Sequence, residues 1–587
     1  MKKSKKRKAR PAKRKGRVKQ KQTPEVRQRP EAENASPAEL FSGGFDFAAP
    51  AAPGGGSELI GHSRAELQQG NPGQALALAR QALSSNPQDA EALNLAGVAA
   101  FQSGAPRAGL DLLRTAIAFA PGNAEAQTNL GNVLAALDQH GEAEAAYKAA
   151  MSADASYAEA AFNLGILMQA QERYPDALAA YERAVEISPA HSGAHLGLGN
   201  ARKALMRLDD ARQAYEAALE HNPALAEAHI NLAAVLQELG DFEGAAREAR
   251  RALDGNPDLL EARYNYAIAL QELGRTEEAI AAYAQVLEGA PGHAACALNI
   301  GYGLQQLERL DEAGQAFEKA IAIDPHFAKA HVNLADLRLQ QDNPQGALDV
   351  CNAFLKSHPG QSDLLAFKAV CLWDMGREDD ARRLTDFARF VRIVHIAQPE
   401  DFDGLAAFNA ALCAHVTSHP SLTLAPQSHA TRKGRHSGEL LNEPKGPIAA
   451  LEAEILLGAE AARAALGRDA THPFLASPPN DWTLSVWGVV MQASGHQIPH
   501  IHPAAWLSGV YYAQLPDLAG TQESGKAGWI EFGRPPEHFH NKREPETFSV
   551  QPEPGMMVLF PSYFYHHTVP FEASGTRVSI AFDLMAA

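Results

Sequence analysis

The chain has 587 residues, with 53 Lys and Arg against 69 Asp and Glu, a formal net charge of −16, and 45% apolar residues. That composition is typical of soluble globular proteins. No apolar run approaches the ~18–20 residues that a membrane span needs, and none could form the core of a signal peptide, so a cytoplasmic protein without a transmembrane segment is expected. The four cysteines, Cys296, Cys351, Cys371 and Cys413, lack metal-ligand spacing and read as buried reduced thiols.

Charge is unevenly spread. Residues 1–30 hold fifteen Lys or Arg and one acid, Glu25, a segment charge of +14 that leaves −30 for the rest. Such a segment buries too little apolar surface to offset the entropy of ordering and is expected to be a disordered basic tail. It suits weak, sequence-independent contact with nucleic acid or an anionic surface, or plain solvation. The Pro/Ala/Gly stretch that follows reads as a linker, so residues 1–55 form one tail-and-linker unit.

From residue 56 a strict period of 34 takes over. Proline recurs at 87, 121, 189, 223, 257, 291, 325 and 359, broken only by Ala155. Alanine recurs at 75, 143, 177, 211, 245, 279, 313, 347 and 381, with Gly109 the exception. A second small residue follows the same grid from Gly97, Gly131 and Gly165 to Ala369, and an aromatic sits at Tyr147, Tyr181, Tyr215, Tyr283 and Phe317. Helices approach closely only where small side chains meet, so the grid describes helical hairpins, each packed on the next. It resembles the tetratricopeptide repeat. About ten units over 56–395 then form one all-α superhelix with a long concave face.

Asparagine recurs on this grid at Asn129, Asn163, Asn231, Asn265, Asn299 and Asn333. Asparagine is a mediocre helix former, so the repetition calls for a reason. The pattern resembles the asparagine ladder of O-linked N-acetylglucosamine transferase, which implies a groove gripping a peptide or protein backbone through amides that donate and accept. The alternative is hydrogen bonding between adjacent repeats.

After Ala381 the grid decays. Residues 382–396 read as a closing amphipathic helix, 421–447 as loop with a basic cluster at 432–436, and 448–466 as a helix. Strands are expected at about 482–493, 505–514, 528–532, 548–550, 556–560 and 576–584. Short strands joined by Gly and Pro turns suggest a jelly roll, an α+β double-stranded β-helix domain over 396–587.

Within it, His500 and His502 are two apart in an extended stretch and share one face, with Ile501 on the other. A third histidine roughly sixty residues on, carried by another strand, would complete one triangular face of an octahedral metal. HIHPAAWLSGVYYAQLPD (500–517), GWIEFGRP (528–535), PEPGMMVLFPSYFYHHTVPF (552–571) and RVSIAFDL (577–584) together resemble a family of bacterial and phage 2-oxoglutarate- and Fe(II)-dependent oxygenases. The resemblance implies Fe(II), 2-oxoglutarate as co-substrate and O2, with ascorbate as an accessory reductant. It makes His500 the first metal ligand and His566 the distal one, with His567 as its neighbouring alternative. His502 stands where a carboxylate is usual, and three neutral imidazoles would leave Fe(II) its full charge. An acid from elsewhere, such as Asp517 or Glu531, is the competing ligand, and His496 a supporting residue. The resemblance also assigns the distal carboxylate of 2-oxoglutarate to Arg577, with the Ser579 hydroxyl assisting.

No phosphate-cradling glycine loop and no serine-hydrolase motif occurs. The reading is a dioxygenase that hydroxylates a polypeptide recruited by the repeats. The alternatives are an interaction scaffold with a redox-inactive jelly roll, or a small-molecule oxygenase whose repeats serve assembly.

Overall fold

The computed structural model describes residues 55–396, 399, 401–425, 429–442, 444–516, 525–572 and 574–586. The basic tail, Asp517 and nearly all of the linker lie outside the described residues. Ten helical hairpins follow the 34-residue grid, beginning with Gly55–Gln68 and Pro72–Ser85 and ending with Ser362–Asp374 and Glu378–Leu384. The grid prolines fall in the turns that follow the second helices; Pro121, for example, lies between Phe119 and Ala124, where its missing N–H ends one helix before the next begins. Between the two helices of a hairpin a residue takes the left-handed conformation. Gly240 does so at φ 82°, while Asp138, Glu172, Met206, Glu308 and Asp342 adopt it in other repeats.

The small grid positions are seats for aromatic rings. A Cβ on Gly165 would lie 2.6 Å from the Tyr181 ring, and Gly131 abuts Tyr147 in the same way. Both tyrosines are fully buried. Gly165→Ala is therefore expected to lower the melting temperature, because overpacking costs about 1–3 kcal/mol and outweighs the roughly 1 kcal/mol gain in helix propensity. Gly73, exposed with open space around it, provides the control. Gly73→Ala should raise the melting temperature slightly, and thermal unfolding followed by circular dichroism compares the two.

The repeats pass directly into a β-rich domain. Among the described residues its strands are β1 (Arg392–His395), β2 (Thr423–Leu424), β3 (Thr431–His436), β4 (Trp482–Gln497), β5 (Leu507–Gln514), β6 (Ile530–Phe532), β7 (Phe548–Val550), β8 (Met556–Pro561), β9 (His566–Thr568) and β10 (Arg577–Ala586). A seven-stranded sheet runs β1-β8-β5-β10-β4-β3-β2, a three-stranded sheet runs β7-β6-β9, and their pairs are antiparallel, the curled arrangement of a jelly roll. Helices Leu405–Ser418 and Ile448–Leu466 back the large sheet, where Val416 packs onto Gly488 and Met557 onto Gly458.

Residues 392–395 are not helix, as expected, but strand β1, paired with β8; the solenoid ends near Leu384 rather than 395. The stretch 421–447 likewise contains β2 and β3 rather than only loop. Four residues of alternation are too few to overrule a helical context, and the Arg, Lys and His of β3 conceal a strand near the sheet edge.

Solenoid and sheet share one apolar core reaching from Val332 to Leu584. Tyr563 donates to the Leu384 carbonyl at 2.6 Å, Ser362 and Ser562 hydroxyls meet at 3.3 Å, and Phe539 packs edge-on against Phe367. Farther back, Thr423 donates to the Met206 carbonyl at 3.3 Å, so the β2–β3 hairpin touches the middle repeats. Among the described residues no helix is long and apolar enough to cross a membrane.

Candidate metal centre

Pro499 separates His500 from the end of β4, and the backbone then bridges to β9. The His500 N–H donates to the His566 carbonyl at 3.1 Å and the His566 N–H returns the bond at 3.0 Å. The His502 N–H donates to the Ser562 carbonyl at 3.0 Å. These bonds hold three imidazoles on one side, with ligand nitrogens of His500, His502 and His566 all within 4.8 Å of one another.

The second nitrogen of each ring is engaged. Nδ1 of His500 lies 2.8 Å from the Ile498 carbonyl, Nδ1 of His566 lies 3.0 Å from the Phe564 carbonyl, and Nδ1 of His502 lies 2.9 Å from Oδ2 of Asp583. A carbonyl or carboxylate only accepts, so each Nδ1 carries a hydrogen and Nε2 is the nitrogen each ring would turn to a metal. Burial pushes His500 down to about 3 and His566 well below its ordinary range, with the neighbouring histidines adding to the effect, so both are neutral. The cluster is a pre-formed set of three nitrogen donors.

Asp583 also accepts from Ser508 Oγ at 2.6 Å. It supplies a carboxylate one step behind the ring that occupies the usual carboxylate place. Sequence reasoning passed over it, although its even spacing from Arg577 and Ser579 on β10 puts all three on one strand face. Asp583→Asn should keep the geometry, remove the charge and weaken Fe(II) binding by roughly 10–100-fold, read by competition with a metal-sensitive dye under anaerobic conditions.

Arg577 opens β10 opposite Met491 of β4. It is 3% exposed, its guanidinium lies 5.0 Å from the Tyr512 ring centre, and one Nη donates to the Gly528 carbonyl at 2.6 Å. Its Nε has no partner, and among the described residues no carboxylate pairs with it. A buried cation without a counter-ion is costly, and it is a ready seat for an anion. Ser579 lies two residues on, buried, opposite Val489 and Tyr512.

The remaining candidates are placed elsewhere. Glu531 pairs with Arg534 at 2.9 Å and lies 3.7 Å from His567, directly across from it in the β6–β9 register, while His566 faces Phe532. Glu531 and His567 thus occupy the face opposite the three histidines. His496 lies 3.4 Å from the Ser494 carbonyl and near His567, and the partner of the His502 ring is Asp583. The grid asparagines bond across repeats: Asn129 to Asn94 at 2.9 Å, Asn163 to Asn132 at 3.0 Å, Asn231 to Asn200 at 3.1 Å and Asn265 to the Ile230 carbonyl at 3.4 Å. Asn299 is buried as well and Asn333 is half-buried. For those four, the pairing between repeats expected as the alternative is what the structure contains.

One feature gave no signal in the sequence. Trp487 stacks 5.8 Å from His502 and 5.9 Å from His436, which meets His429 edge-on at 4.6 Å. This partly exposed row leads from the histidine cluster toward the β2–β3 hairpin.

Residues 485–583 match the family described as Putative 2OG-Fe(II) oxygenase. Tetratricopeptide-repeat models match residues 60–124 and 332–392, 122–190, and 168–235, 236–298 and 304–354. The chain is a tetratricopeptide-repeat protein with a C-terminal domain of that oxygenase family. No curated protein matches it. Among solved structures, the tetratricopeptide-repeat protein YrrB is 27% identical, covering 31% of this chain and 95% of its own at a TM-score of 0.30. PilF of Pseudomonas aeruginosa is 21% identical, covering 35% and 95% at 0.33, and the type IV pilus biogenesis factor PilW is 20% identical, covering 36% and 98% at 0.33.

The oxygenase family implies Fe(II) and 2-oxoglutarate, and the residues present fit both. Three imidazole nitrogen donors suit a borderline divalent metal. The buried Arg577 guanidinium, whose Nε has no partner, suits a carboxylate.

Proposed function

We propose that this protein is a 2-oxoglutarate- and Fe(II)-dependent hydroxylase of a polypeptide recruited by its repeats. The single observation that carries the reading is the pairing, within one β-domain, of a metal-ready histidine cluster with a buried arginine lacking a counter-ion. His500, His502 and His566 would hold the metal, and Arg577 the distal carboxylate of 2-oxoglutarate. Bound together and supplied with O2, the two groups would oxidise a substrate C–H to C–OH, one oxygen atom of O2 entering the substrate and the other the succinate formed as 2-oxoglutarate loses CO2.

The chain's own residues bind, orient and exclude water. Asp583 fixes the His502 ring and offsets metal charge through the Nδ1 hydrogen bond. Val489, Met491 and Phe571 form a buried apolar cluster beside Arg577 and Ser579 that keeps solvent from the co-substrate. Trp487 and His436 form a partly exposed wall beside the cluster, suited to positioning a side chain presented from the repeats.

The reading is tested by succinate release from 2-oxoglutarate with cellular protein captured on the His566→Ala variant, coupled to mass spectrometry. Wild-type enzyme should add one oxygen atom to a captured polypeptide and release succinate in step. Succinate release that captured protein neither stimulates nor couples to would replace it with a small-molecule oxygenase.

A further inference from the structure

We infer that the acids of the middle repeats, Glu227, Glu238, Glu261 and Glu272, bind a cationic peptide, so that the substrate segment carries Lys or Arg beside the residue brought to the metal. The inference rests on the proposed hydroxylase reading and names its substrate class.

The chain seats a basic segment of its own on solenoid acids, through one Lys–Asp pair, one histidine ring and bonds to main-chain N–H groups. In the last two repeats the segment His538–Phe539–His540–Asn541–Lys542–Arg543 of the oxygenase domain is seated on solenoid acids. Asp336 accepts from the His540 N–H at 2.8 Å and from its Nδ1 at 2.7 Å, Asp374 accepts from the Arg543 N–H at 2.9 Å, and Lys542 pairs with Asp342. The bond to Asp336 holds His540 above its ordinary pKa, toward the cation.

The two intervening repeats carry Gln340 and Gln306 at the position of Asp374 and Lys329 and Ala295 at that of Asp363, and acids return only in the middle repeats. Glu272 and Glu238 stand three and four whole repeats before Asp374, and Glu261 and Glu227 stand at the corresponding remove from Asp363. Burial, with the Glu261 carboxylate contributing, raises the Glu227 pKa, although Lys203 is also near. Glu238 faces His429, at the outer end of the aromatic row that leads through Trp487 to His502.

A second observation concerns Gln271, beside Glu272. It is 7% exposed, and neither its amide nitrogen nor its amide oxygen has a partner. In the same register, Gln237 donates to the Asn265 carbonyl at 2.7 Å and Gln305 to Gln340 at 2.9 Å. An unspent amide donor and acceptor beside Glu272 is what a peptide backbone would use.

The test measures anisotropy of three fluorescein-labelled peptides on the full chain: a Lys-Ser repeat, an Asn-Ser repeat and a Glu-Ser repeat. The Lys-Ser peptide alone should bind, weaken as salt rises, and bind on the order of tenfold more weakly to the combined Glu227→Gln, Glu238→Gln, Glu261→Gln variant. Gln271→Leu should weaken it in turn while leaving the melting temperature near that of the parent. Equal binding of the three peptides, or an unchanged constant in the triple variant with its fold intact, would overturn the inference. Binding that emerges only when residues 1–54 are removed would assign these acids to the chain's own basic tail and overturn the partner reading. Fe(II) and 2-oxoglutarate binding, measured in parallel on the triple variant, should match wild type. Loss of binding there in wild type would instead refute the hydroxylase reading.

Discussion

Replacing Arg577 with methionine is expected to raise the melting temperature of the protein while weakening 2-oxoglutarate binding by roughly 10- to 150-fold. The two effects have opposite signs because one group causes both. Without co-substrate, a buried guanidinium with an unpartnered Nε and no carboxylate among the described residues carries a desolvation cost that the Gly528 carbonyl and the Tyr512 ring offset only in part. An apolar side chain of similar length removes it, and comparable replacements of buried charge stabilise by about 1–4 kcal/mol. With co-substrate, the same guanidinium gains charge-assisted hydrogen bonds of about 1.5–3 kcal/mol, which methionine cannot replace. Thermal unfolding and calorimetric titration of the metal-loaded protein measure the pair. A melting temperature that falls, with 2-oxoglutarate affinity unchanged, would show Arg577 to be a packing residue.

Replacing His566 with alanine is expected to remove Fe(II) binding with little change in fold. His566 is one corner of the cluster, its ring 4.2 Å from that of His500 and 5.1 Å from that of His502. The backbone bridge to His500 depends on main-chain atoms and should survive the substitution. Losing a ligand should cost more affinity than the roughly 10–100-fold attached to a supporting residue such as Asp583. Anaerobic metal competition, with circular dichroism as the control for folding, checks it.

Much of this was legible before the fold. The 34-residue grid locates the hairpins because every repeat solves the same packing problem, and Gly131 and Gly165 are small because Tyr147 and Tyr181 lie against them. His500 and His502 could be put on one face from alternation alone. What escaped were features set by tertiary pairing. Asp583 supports His502 across 81 residues, and no local rule connects them. The asparagine ladder is a different case: a repeated amide signals a repeated hydrogen bond, but not whether the partner is a bound peptide or the next helix, and Asn129, Asn163 and Asn231 bond to the neighbouring repeat. Strand β1 was misread because its four residues continue a helical pattern and gain strand character only from β8.

Asp583 also bears on the departure at His502. With a carboxylate 2.9 Å from the Nδ1 of that ring, the site has negative charge one bond chain away from the metal, in place of a direct carboxylate ligand. The donor set thus remains suited to a divalent cation together with a dianionic co-substrate.

The central claim is that this cluster and Arg577 together form one site for Fe(II) and 2-oxoglutarate. Its most direct test is anaerobic titration of the full chain with Fe(II) and then 2-oxoglutarate, followed by visible absorption. One equivalent of metal should bind, and 2-oxoglutarate should then raise a metal-to-ligand charge-transfer band that is absent in His566→Ala and shifted to much higher 2-oxoglutarate concentration in Arg577→Met. Folded wild-type protein that binds Fe(II) yet develops no band at saturating 2-oxoglutarate would contradict the account.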